Sequence, residues 1–190
     1  QEERLIGGPV VYSSMAAQRA GAKVLILTKG NSADESGLDL QRDNDIDVIF
    51  QPCEVSTSIK NTYYTADRET RDAELLSVAD PFKLGDVPEV DTQIIHMGGL
   101  FRGEIPDTLI EPLSKRAKIG LDAQGLLRCN DDGKMVFHDW PGKKELLPFV
   151  TYFKTDAAEA KILTGLENRY EAAKLLNEWG AEEVMVTFNK

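Results

Sequence analysis

The sequence predicts an α/β fold, a doubly wound parallel sheet flanked by helices with a small antiparallel β lid, and three observations predict it. From Thr92 onward, strand and helix patterns alternate over about a hundred residues, the mark of βαβ units whose ligands gather at the carboxyl ends of the strands. Residues 22–28 form a continuous apolar run bounded by Gly21 and Gly30, as a buried parallel strand reads. Residues 47–50 and 55–66 are instead rich in Thr, Ser, Tyr and Val and alternate in polarity, which predicts exposed antiparallel strands.

The elements follow in order. Residues 6–20 begin with the Gly7-Gly8 turn and continue as a helix carrying small residues (Ser13, Ser14, Ala16, Ala17) on one face, which permits close backbone approach. Helix and then strand make half of a βαβ unit, whose first strand would precede Gly7. The polar stretch 29–45 is the least legible part. The strands at 47–50 and 55–66, with a further extended stretch at 71–77, predict a lid sheet inserted at about 46–77 of a single domain spanning 1–190. Residues 92–97 read as a strand ending in Gly98-Gly99, 106–117 as a helix opened by a proline, and 118–123 as the next strand. Gly133 marks a hairpin turn. Residues 143–147 read as a short helix, 151–154 as a strand, 156–163 as a helix stopped by Gly165, 168–179 as an amphipathic helix stopped by Gly180, and 183–188 as the last strand. Gln1 stands where a methionine would, and residues 184–190 read as a strand cut just after its end, so a chain incomplete at both ends is expected.

Composition narrows the functional classes. The 190 residues suit one α/β domain with a buried core. A net charge of −10 supplies no basic surplus for nucleic-acid phosphates or an anionic membrane surface. Two cysteines, Cys53 and Cys129, and two histidines, His96 and His138, make neither a disulfide framework nor a Cys/His zinc site. No apolar run reaches the roughly 20 residues of a membrane span, and no signal-peptide pattern opens the chain; a cytoplasmic protein with two free thiols is expected. The histidines are isolated and receive no catalytic role.

Three patterns carry chemistry. In LPFVTYFKTDAAEAKILTG (147–165), Asp156 and Glu159 stand three residues apart in the first turn of a helix that follows a strand. That spacing puts both carboxylates on one side of the helix at the sheet's carboxyl edge, where they suit Mg²⁺ held through water. The same spacing equally suits a helix N-terminus, with Thr155 or Asp156 as the cap. In IGLDAQGLLR (119–128), Asp122, Gln124 and Arg128 cluster after a buried strand, either to bind a polyol or anionic group or to anchor a loop through an Asp–Arg ion pair. Gly7-Gly8 offers backbone N–H groups at a helix start, or simply a tight turn.

Taken in order, Gly7-Gly8 with its helix and strand, the Thr/Tyr strands, IIHMGGL, LDAQGLLR, the 147–165 segment and EVMVTF resemble the ribokinase-like (phosphofructokinase-B-type) carbohydrate kinases. The resemblance spans nearly the whole chain. Its most specific part is Asp156-x-x-Glu159 followed by Leu163-Thr164-Gly165, similar to the family's Asn/Asp-x-x-Glu motif for the magnesium and phosphate water network. The resemblance implies a ribokinase-like sheet and an ATP-dependent kinase acting on a hydroxymethyl group of a sugar or sugar acid, with Mg²⁺ as cofactor. A nucleoside kinase of the same fold, or a non-catalytic sugar or nucleotide sensor, is the alternative. It further implies substrate contacts at Gly7, Gly8, Asp122 and Arg128, a nucleotide-facing Thr187, and Asp156 and Glu159 near the metal. The strands around 57–64 correspond to a lid that closes over substrate and can pair subunits into a homodimer.

Two departures stand out. Tyr12 occupies the position, five after the first glycine, where the family commonly has asparagine. The Gly-Ala-Gly-Asp segment that supplies the base and the anion hole is expected beyond Lys190.

Overall fold

A computed structural model describes residues 5–63 and 71–188 of the chain. The chain divides into two compact units at Asp80–Pro81, and each is described in turn. No helix among the described residues is long and apolar enough to cross a membrane.

The first unit opens with helix α1 (Pro9–Arg19), whose N-cap Gly8 has φ 77° and gives no side-chain cap; that backbone angle is one glycine tolerates without strain. Strand β1 (Leu25–Gly30) follows. The polar stretch 29–45 then folds as a 3-10 segment, Ser32–Leu38, capped by the Asn31 side chain on the Ala33 N–H, and a helical turn α2 (Asp39–Arg42). Strand β2 (Asp47–Pro52) pairs in parallel with β1, Leu25 opposite Asp47 and Thr28 opposite Phe50. This corrects the expectation of an exposed antiparallel strand at 47–50. The run Val48-Ile49-Phe50 is three consecutive half-buried apolar residues, the signature of a parallel strand covered on both faces, and the flanking polar residues masked it. The antiparallel part is therefore the hairpin of β3 (Ser58–Tyr63) and β4 (Arg71–Ser77), not a sheet beginning at 46. Residues 64–66 of the expected strand lie outside the described residues.

The second unit holds the parallel sheet that positions the site. Its strands are β5 (Ile94–Met97), β6 (Lys118–Asp122), β9 (Tyr152–Asp156) and β10 (Glu183–Thr187), in the order β10-β9-β6-β5. Between β5 and β6 lies helix α3 (Ile110–Ser114), entered through a 3-10 turn at Asp107–Leu109. It is shorter than the expected 106–117 helix because Pro112 lacks an N–H and the tail frays into a turn. After β6 come a helical turn α4 (Gln124–Leu127), the hairpin β7 (Arg128–Asp131) with β8 (Lys134–Phe137), and helix α5 (Lys143–Leu146). Helices α6 (Ala157–Thr164) and α7 (Arg169–Glu178) connect β9 to β10, α6 ending in left-handed Gly165 at φ 76° as the glycine there predicts.

Strand alternation sorts the sheet's two faces. Ile119, Leu121, Phe153 and Thr155 point one way and are buried, in a core shared with Leu113, Leu163 and Leu176 of the packed helices. Each such aliphatic side chain contributes about 1.5–3 kcal/mol on burial. Asp122, Lys154 and Asp156 fall on the opposite face. The packing of helices on one face thus leaves a polar edge on the other.

Candidate functional site

The carboxyl ends of β6, β9 and β10 bring together Asp122, Lys154, Asp156 and Thr187. The register makes Asp122 the neighbour of Lys154, and Asp156 the neighbour of Thr187. A cavity of about 420 Å³ opens there, lined by Lys154, Asp156, Ala157, Ala158, Thr187 and Phe188. Its position follows from the topology, since parallel strands leave their ligand crevice where the loops to the next helices begin.

Asp156 and Glu159 form a reciprocal capping box. The Asp156 Oδ1 accepts from the Glu159 N–H at 2.8 Å, and the Glu159 Oε2 accepts from the Asp156 N–H at 2.9 Å. The structural reading of this pair is therefore realised, with Asp156 rather than Thr155 as the cap. One oxygen of each carboxylate remains beyond the box. Among the described residues no group of three or more His, Cys, Asp or Glu side chains could hold a metal ion. Those residues therefore supply no direct protein cage for a metal. Glu159 is only 5% exposed. Burial pushes its carboxyl up from the ordinary 4.5; the Asp156 N–H and the Lys154 charge pull it down, and Asp156 and Asp122 push it further up.

Lys154 reaches Asp122, with Nζ 3.2 Å from Oδ2 and 3.5 Å from Oδ1. Asp122 Oδ1 also accepts from the Gln124 N–H at 3.1 Å, at the start of α4. Sequence reasoning passed over Lys154; the signal was a lysine on the strand's non-core phase two residues before an acid at the carboxyl edge. Phe188 carries the Arg169 guanidinium on its ring, 4.4 Å from the centroid.

The other expected residues divide. Arg128 donates to the Gln124 Oε1 at 2.8 Å, and its guanidinium lies 5.5 Å and 5.7 Å from the Phe101 and Phe137 ring centroids. It is clamped at the root of the β7–β8 hairpin. Below it, Gly125 meets Gly99 so closely that a Cβ at 125 would stand 2.8 Å from the Gly99 Cα, which fixes the turn after β5 against α4. Gly7 and Gly8 belong to the first unit, where they lead into α1. Thr187 Oγ1 donates to the Thr155 carbonyl at 3.4 Å.

Neither a family model nor a curated protein matches the chain. Solved structures do. A pyrophosphate-dependent kinase in the ribokinase family, complexed with a pyrophosphate analog and myo-inositol, is 32% identical with a TM-score of 0.91, over 100% of this chain and 67% of that one. The sulfate complex of a pyrophosphate-dependent kinase in the ribokinase family is 33% identical with a TM-score of 0.90, over 97% of this chain and 66% of the other. Ribokinase from Arabidopsis thaliana, complexed with ribose and ATP, shares the fold at a TM-score of 0.67 and 15% identity, over 97% of this chain and 61% of its own. The chain thus spans about two thirds of the length of these two pyrophosphate-dependent kinases. With a third of its residues identical to a ribokinase-family kinase over its whole length, and with the sheet and Asp-x-x-Glu helix in place, the chain belongs to the ribokinase (PfkB) family of carbohydrate kinases.

Proposed function

We propose that the full-length protein is a kinase that transfers a phosphoryl group from inorganic pyrophosphate to a hydroxyl of a polyol, with myo-inositol the favoured acceptor. The observation that carries this reading is the cavity at the carboxyl edge, lined by Lys154, Asp156 and Thr187. The identity to pyrophosphate-dependent kinases supports the choice of donor and acceptor. In such a transfer the acceptor hydroxyl gives its proton to a general base and its oxygen attacks the terminal phosphorus. The bond to the bridging oxygen breaks, and orthophosphate leaves with the electron pair. Catalysis is mostly positioning and neutralisation of charge. Mg²⁺, when bound, shields the donor's phosphate charges. Asp156 and Glu159 would hold it through water, Lys154 would offset charge on the departing phosphate, and Arg169 stands behind the Phe188 wall as a second cation. Thr187 faces the donor; Gly7, Gly8 and Arg128 serve the acceptor side.

ATP, the donor implied by the sequence resemblance, is the natural comparison. Initial rates with pyrophosphate or ATP, each against myo-inositol, ribose and fructose with Mg²⁺, test the reading. Turnover fastest with pyrophosphate and myo-inositol is expected. Turnover with ATP alone removes the donor assignment, and none with either donor removes the kinase.

A further inference from the structure

We propose that Asp122 is an internal competitor for the phosphoryl donor: its carboxylate is the resting partner of Lys154, and an incoming anion must displace it. This rests on the reading of the Lys154 cavity as the donor site. It gives Asp122, expected on the acceptor side, a different task.

The geometry makes Asp122 the fixed member of the pair. Its Oδ1 is tethered by the Gln124 N–H at 3.1 Å, and its side chain is 21% exposed against 40% for Lys154. Lys154 is the movable member, a point charge on a four-carbon stem. Among the described residues its ammonium has one ion-pair partner, Asp122, yet it is Lys154 and not Asp122 that lines the cavity. One cation therefore has two claimants, a carboxylate behind it and any phosphate in front of it. Asp156 and Glu159 add two more carboxylates to the same edge, and Glu159 senses the charges of both aspartates and of Lys154. A bare anion entering the cavity meets the Asp156 carboxylate and a lysine already engaged by Asp122, with the buried Glu159 behind. The arrangement disfavours metal-free phosphate without removing the cation that a metal-shielded donor needs.

Removing the competitor should tighten anion binding. A partly exposed pair of this kind is weak enough to be displaced, so the gain expected is about three- to fivefold in Kd. The probe is inorganic pyrophosphate, titrated calorimetrically into the full-length protein in metal-free buffer. Asp122→Asn keeps the shape and the oxygen that meets the Gln124 N–H, and should bind three to five times more tightly than wild type. Asp122→Glu keeps the charge and should stay near wild type. In a Lys154→Met background the added Asp122→Asn change should alter Kd by less than about twofold, because the competition acts through Lys154. Unchanged or weaker binding by Asp122→Asn overturns the proposal. So does an equal gain in the Lys154→Met background, which would show general charge repulsion instead, and so does failure of both wild type and Asp122→Asn to bind. Wild type that binds pyrophosphate but transfers no phosphate refutes the kinase reading alone and leaves the pair tested.

Discussion

The Asp156–Glu159 box caps α6, and one pair of substitutions separates that role from the Mg²⁺ role proposed above. Asp156 caps α6 through its Oδ1 on the Glu159 N–H at 2.8 Å, and Asn caps helices about as well as Asp. Asp156→Ala removes the cap and costs about 1 kcal/mol, which lowers Tm by roughly 2–4 °C for a chain of this size. Asp156→Asn retains the cap and forfeits only the charge at the helix N-terminus, about 0.3–1 kcal/mol. If the carboxylate does no more than cap, activity follows stability: Ala is impaired and Asn is nearly normal. If it also orients the water around Mg²⁺, both variants lose turnover by about tenfold or more, an estimate equal to one charge-assisted hydrogen bond, and the Mg²⁺ concentration giving half-maximal rate rises. Thermal denaturation and Mg²⁺-dependent initial rates on the full-length variants read the two effects apart. Wild-type turnover by Asp156→Asn at every Mg²⁺ concentration would refute the metal role and leave the helix cap.

Two further outcomes follow from the same geometry. Burial raises the Glu159 carboxyl above 4.5, so the folded state binds more protons than the unfolded state just above that pH. Wild type should therefore lose stability relative to Glu159→Gln as pH rises from about 4.5 through the raised folded value; denaturant unfolding of both proteins across that window checks it, and a difference that does not change with pH contradicts it. Gly125→Ala places a Cβ 2.8 Å from the Gly99 Cα and should cost about 1–3 kcal/mol through forced backbone movement; an unchanged Tm would show that the turn yields freely.

Legibility varied with how local the cause was. The α6 cap, Gly165 stop and α7 boundaries were readable because each depends on a few adjacent residues: Asp156 at the start, glycine in the left-handed position, Asn168 accepting from the Tyr170 and Glu171 N–H groups. The pairing of residues 47–50 was not, because direction in a sheet is settled by the partner strand, here β1, and polar neighbours disguised the buried run. Arg128 and Asp122 looked like one cluster in sequence. In space Asp122 engages Lys154, which is 32 residues away, and Arg128 lies against Phe101 and Phe137. Lys154 stayed unnoticed because its meaning comes from a register between β6 and β9 that spacing along one strand does not encode.

Phosphoryl transfer from pyrophosphate to a polyol, proposed for the carboxyl-edge cavity, is read out by ³¹P NMR of the full-length protein with pyrophosphate, Mg²⁺ and myo-inositol. Each pyrophosphate consumed should yield one orthophosphate and one inositol phosphomonoester. Two orthophosphates per pyrophosphate with no phosphomonoester, or pyrophosphate left intact, would contradict it.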